Sequence, residues 1–217
     1  MRLLQMGFGS LALSLAGGLL VAMPATGSYG GSFAVDVDVD GDGRPDEVML
    51  STDESGERTQ VSITTAAKES ATVSMPWRGA SDMSPGKRLE GVAPVVNRSG
   101  SDVVVRLSAG RCTRYRIWNY SAGKLTAVPK PQGGLTWRVC GLGADQKGQG
   151  FRSVISQGTP KVLMYRGERK GDAANLTKVK FRWQDNQWTR AGGKVVKQVR
   201  PESVLDRWRL GFSWRTS

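Results

Sequence analysis

Between residues 33 and 199, short runs of Val, Ile, Thr and aromatic residues alternate with polar positions, and Gly, Ser, Asn and Asp interrupt them at close intervals. A period of two sends successive side chains to opposite faces of an extended chain, so each run reads as a strand with one face turned to a core. Ten strands are predicted, over 33–37, 47–51, 60–65, 71–75, 103–107, 113–118, 124–128, 161–165, 179–183 and 194–199. No long stretch shows the three-and-four spacing of an amphipathic helix. The predicted fold class is all-β, made of antiparallel sheet modules.

Two segments read as hairpins, Trp118-Asn119-Tyr120-Ser121-Ala122-Gly123-Lys124-Leu125 and Trp183-Gln184-Asp185-Asn186-Gln187-Trp188, because a Gly- or Asn-bearing turn joins two strand-like halves. They resemble each other, and a second echo runs beside them. The segment Asn97-Arg98-Ser99-Gly100-Ser101-Asp102 precedes Val103-Val104-Val105 as an aspartate-rich segment, 38–46, precedes Val48-Met49-Leu50, and 145–150 precedes a third such strand. With echoes about 50 residues apart, the chain reads as three sheet-forming modules in one domain over 28–217. The end of that domain is a tail rich in Arg and Trp, with Arg200, Arg207, Trp208, Arg209, Trp214 and Arg215.

Residues 1–27 contain no acid and a single base, Arg2, followed by an apolar run over 11–23 and then Pro24, Ala25, Thr26 and Gly27. The run is short for a bilayer and ends in small residues, so it reads as a signal peptide cleaved between Ala25 and Tyr29. The expected mature protein has no transmembrane segment and is secreted to the extracellular space. Loss of the leader leaves 30 Lys and Arg against 19 Asp and Glu, a net charge of +11. A field of that sign favours anionic partners, such as a cell-wall polymer.

The absence of histidine excludes Ser-His-Asp triads and His-ligated zinc. Carboxylates such as Glu90, Glu168 and Asp185 leave a secreted hydrolase open, although no spacing singles out a pair. Bases and aromatics interleaved at Arg114, Tyr115, Arg116, Trp118, Lys180, Phe181, Arg182 and Trp183 leave nucleic-acid binding open as well, since that alternation is shared with any half-buried strand. Cys112 and Cys140, 28 positions apart, cannot form a CxxC motif. In an oxidising compartment they are expected to form a disulfide that adds about 3–4 kcal/mol.

The segment Asp38-Val39-Asp40-Gly41-Asp42-Gly43-Arg44-Pro45-Asp46 fits the pattern DxDxDGxxD. Alternating carboxylates converge when the chain curls around an ion, and calcium suits them because it takes six to eight hard oxygen ligands at flexible angles. The expected ligands are the side chains of Asp38, Asp40, Asp42 and Asp46 with the main-chain carbonyl of Arg44. An alternative register starting at Asp36 would place its closing carboxylate on Arg44, so the first register is preferred. An EF-hand is excluded, because its twelfth loop position would be Met49 and the flanks read as strands.

The stretch from Val37 to Val48 resembles the FG-GAP or VCBS-type repeats of integrin-like β-propellers and of many secreted bacterial proteins. The resemblance implies a calcium loop joining two strands of an antiparallel sheet, with Asp38, Asp40, Asp42 and Asp46 as ligands. It also implies a β-propeller-like architecture or a partial propeller, since three modules are fewer than a closed propeller needs. The function it implies is non-enzymatic adhesion or recognition.

Overall fold

The structure, a computed structural model, describes residues 31–77, 83–97, 99–108, 110, 112–141, 147–170 and 173–199. The leader, its cleavage point and the tail from residue 200 lie outside the described residues. Among the described residues, no helix is long and apolar enough to cross a membrane.

The described elements are β1 (Ser32–Val37), β2 (Asp46–Thr52), β3 (Arg58–Thr64), β4 (Ser70–Pro76), one helical turn α1 (Pro85–Arg88), β5 (Leu89–Ala93), β6 (Asp102–Ser108), β7 (Cys112–Ser121), β8 (Lys124–Ala127), β9 (Trp137–Cys140), β10 (Lys147–Ser156), β11 (Thr159–Lys170), β12 (Ala173–Gln184) and β13 (Gln187–Val199). All ten predicted strands overlap an observed one. Three further strands lie outside those ten ranges. β5 is interrupted by Gly91, where the ladder with β6 slips register, β9 has only four residues, and β10 opens on Gly-rich sequence. Residues 147–150, expected to precede a third strand, are the first four residues of β10 itself.

β1 to β4 form an antiparallel meander, and the remaining strands form a second sheet in the order β13-β12-β11-β10-β9-β7-β6-β5, with β8 paired to β7. Followed along the chain, that sheet contains two further meanders, β5 to β8 and β10 to β13, bridged by β9. Its end strands do not pair, so no barrel closes among the described residues. The turns at Ala122-Gly123, Gln157-Gly158 and Asp185-Asn186 have positive φ at both residues. Two-residue turns of that hand match the twist of the strands they join, which is why both predicted hairpins form.

The middle meander is covered on both faces. One core joins Leu50, Val61, Ile63 and Met75 of the first meander to Val103, Val105 and Trp118 of the second. Another joins Val104 and Ile117, on the opposite face of the second, to Phe151, Val162, Met164 and Phe181 of the third. Consequently Val103, Val104 and Val105 are all fully buried, a continuous apolar run where a half-buried strand would alternate.

Cys112 and Cys140 are joined in a disulfide, as expected. They stand directly opposite each other in the β7–β9 ladder, with Cα atoms 4.2 Å apart. The bridge fastens β9 at the point where the sheet passes to the third meander.

Candidate metal centre

The aspartate segment leaves β1 and enters β2. Asp46, the first residue of β2, is fully buried, and both of its carboxylate oxygens accept main-chain bonds. Oδ2 accepts from Val39 N at 2.8 Å and Asp40 N at 3.3 Å, and Oδ1 accepts from Ala66 N at 2.9 Å. Asp46 therefore closes the loop on itself and ties it to the β3–β4 turn.

The other three aspartates are shaped by shorter bonds. Asp38 accepts from Gly41 N (2.6 Å) and Gly43 N (3.1 Å), Asp40 from Asp42 N (3.0 Å), and Asp42 from Arg44 N (2.8 Å). Gly41 and Gly43 take φ of 88° and 83°, a left-handed conformation in which a Cβ would be strained. The result is a curl in which Asp38, Asp40 and Asp42 each bring a carboxylate oxygen within 4.8 Å of the others. Asp36 is not in this group and stands opposite Glu47 in the β1–β2 ladder.

Burial pushes the Asp40 carboxyl above its ordinary value, and repulsion from Asp46, Asp42 and Asp38 adds to it against the pull of the Asp42 N–H. Arg44 has the opposite effect on Asp42. Its Nε and guanidinium NH2 donate to Asp42 Oδ2 at 2.9 and 2.7 Å, and this pairing lowers the Asp42 carboxyl. The curl is an acidic, hard-oxygen site with one cationic side chain already folded against its rim. Carboxylate oxygens retain lone pairs after accepting a single N–H, so this donor set fits a calcium ion.

A second loop, between β5 and β6, closes in the same way. Fully buried Asp102 accepts from Val95 N (2.8 Å), Val96 N (2.7 Å) and Asn97 N (3.1 Å) through Oδ2, and from Asn119 Nδ2 (2.8 Å) through Oδ1. Val39 and Val95 each stand seven residues ahead of the aspartate that binds them. The positions equivalent to Asp38, Asp40 and Asp42 are Pro94, Val96 and Arg98. The loop-closing aspartate thus occurs in both loops, and the three converging carboxylates occur in one.

The two loops touch. Asn97 Nδ2 donates to Val39 O at 2.8 Å, and a Cβ on Gly100 would fall 2.4 Å from the same oxygen. Asp40 also forms part of the wall of a 510 Å³ polar cavity shared with Asn97, Asn119 and the turn residues Ala122 and Asp185. All three meanders contribute to that wall. Sequence reasoning found Asp102 only as an echo. The signal that identifies its role is the equal spacing from the end of one strand to the aspartate opening the next, 37–46 and 93–102.

The carboxylates considered for hydrolysis are not brought together. Glu90 pairs with Arg106, Glu168 lines a cleft beside the disulfide, and Asp185 lies in the β12–β13 turn. Nor do the interleaved aromatics form a stacking platform. Tyr115, Trp118 and Phe181 are buried, and Trp183 packs edge-on against Trp188 with ring centres 4.9 Å apart. The chain matches no protein-family model and no curated protein sequence.

Proposed function

We propose that this chain is a secreted, non-catalytic binding module of FG-GAP or VCBS type, a partial propeller stabilised by one calcium ion. The observation that carries the reading is the convergence of the Asp38, Asp40 and Asp42 carboxylates on a loop braced from outside by Asp46 and Asn97. In this reading those three side chains and the Arg44 carbonyl hold the ion. Asp46, the fourth expected ligand, serves first as the anchor that positions the others. When bound, the cation neutralises their mutual repulsion, and at a hundredfold excess over its dissociation constant it adds about 2.7 kcal/mol to stability.

The surface for an anionic partner is one face of the third meander. Arg152, Lys178, Lys180, Arg182 and Lys194 share that face with buried Lys161, and no acid occupies its described positions. Lys161 stands opposite Arg182, and Lys178 opposite Lys194. Like charges facing each other across a ladder are destabilising, so a polyanion such as a cell-wall polymer would relieve the strain on this face.

Melting curves with calcium and with chelator test the ion. Calcium should raise the melting temperature of the wild type and of Asp36→Ala, and leave Asp42→Ala unchanged. Equal curves for the wild type would overturn the assignment. Salt-dependent retention on immobilised wall polymer, lost in Lys178→Glu/Lys180→Glu, tests the surface.

A further inference from the structure

A cavity of 320 Å³ lies where the first and second meanders meet, at the end of β6 remote from the aspartate loops. It is walled by β4 on one side and by β6 and β7 on the other. Arg114, Arg116 and Trp118 occupy alternate positions of β7, so they stand on one face of the strand, and all three line the cavity. Two of their donors lack an acceptor among the described residues. Arg116 Nε and Trp118 Nε1 are both buried, and among the described residues neither has a hydrogen-bond partner. Trp118 as a whole is 8% exposed, and the Arg116 guanidinium carbon sits 5.9 Å from its ring centre.

Buried N–H groups are nearly always satisfied, and one left without an acceptor carries its full desolvation cost. Here two such donors stand two residues apart, one of them on a cation. Among the described residues no acid lines the cavity, and burial lowers the Arg116 pKa. The guanidinium nevertheless stays charged. Met75 and Leu107 give the same cavity an apolar wall.

We propose that this cavity binds a small organic anion, a carboxylate on an apolar body, whose oxygens accept from Arg116 Nε and Trp118 Nε1 while the body packs on Met75 and Leu107. A carboxylate is a planar, acceptor-only group and so matches a pair of fixed N–H donors. The volume lies at the small end of the range for ligand pockets, about 300–1,000 Å³, which suits a compact molecule and not a polymer segment. The inference does not depend on the calcium loop.

The test is a titration of the full-length ¹⁵N-labelled protein, following the Trp118 indole N–H, which is assigned by its disappearance in Trp118→Phe. Benzoate and hexanoate are the probes, with benzyl alcohol and inorganic phosphate as controls. The carboxylates should shift that resonance saturably, and the controls should not. Arg116→Met keeps the length of the stem and removes the charge. It should weaken benzoate binding by at least about tenfold, while its ligand-free melting temperature equals or exceeds that of the wild type, since a buried N–H without an acceptor has gone. The proposal is overturned if neither carboxylate gives a saturable shift or if phosphate or benzyl alcohol shifts the resonance as strongly. It is equally overturned if Arg116→Met melts below the wild type, which would make Arg116 a structural residue.

Discussion

Replacing Asp102 by Ala separates folding from ligation in the paired loops, because this carboxylate closes a loop that has no converging acids. It accepts four hydrogen bonds, from Val95 N, Val96 N, Asn97 N and Asn119 Nδ2. Val95 N keeps a second acceptor, Ala93 O at 2.9 Å, and half-buried Asn97 can turn toward solvent, whereas Val96 is buried and water cannot readily replace its lost acceptor. One buried donor left unsatisfied, Val96 N, costs about 1–3 kcal/mol out of the 5–15 kcal/mol typical of a folded protein. At about 2–4 °C per kcal/mol for a chain of this size, the melting temperature should fall by about 5 °C. Asp102→Asn is the matched control. Its amide oxygen accepts the same main-chain bonds and a reversed Asn119 amide restores the fourth, so its loss should stay under about 1.5 kcal/mol. Urea unfolding in chelator, followed by tryptophan fluorescence, compares the two. A midpoint for Asp102→Ala no lower than that for Asp102→Asn would refute the reasoning.

Other expectations follow from the same geometry. Burial raises the Asp102 carboxyl. A carboxyl whose native pKa exceeds its unfolded one contributes stability that is complete below the unfolded value and fades as pH rises through the native value. The wild type should therefore gain on Asp102→Asn as pH is lowered from neutral into the carboxylate range, and melting at several pH values would show a constant gap if the shift is absent. Asp46→Ala should lower the melting temperature with calcium and with chelator alike, because Val39 N, Asp40 N and Ala66 N all lose their acceptor; a loss seen only with calcium would make Asp46 purely a ligand. Gly100→Ala drives a Cβ against the Val39 carbonyl. It should cost about 1–3 kcal/mol by overpacking and should also weaken calcium binding, and calorimetry showing unchanged affinity would uncouple the two loops.

The strands that sequence revealed are those whose two faces differ. β2 and β3 alternate buried and exposed positions, so their period of two is plain. β5 hides its pattern behind Glu90 and Gly91, and the Gly-rich opening of β10 reads as a turn until its partner β11 is known. The cysteine pairing was legible because the chain has only two cysteines. The aspartate loop was legible from its spacing, but spacing treats Asp38, Asp40, Asp42 and Asp46 alike. Burial distinguishes them, since Asp46 is enclosed by main-chain donors while the other three remain partly open. The alternation at Arg114, Arg116 and Trp118 fitted both a core strand and a binding face, and only three-dimensional packing shows Trp118 buried with its N–H unpaired.

The most direct test of the calcium reading is a calorimetric titration of chelator-stripped protein. The account predicts one calcium site per chain, retained in Asp36→Ala and lost in the double variant Asp38→Ala/Asp42→Ala. Absence of binding in the wild type, or a site that survives in the double variant, would contradict it.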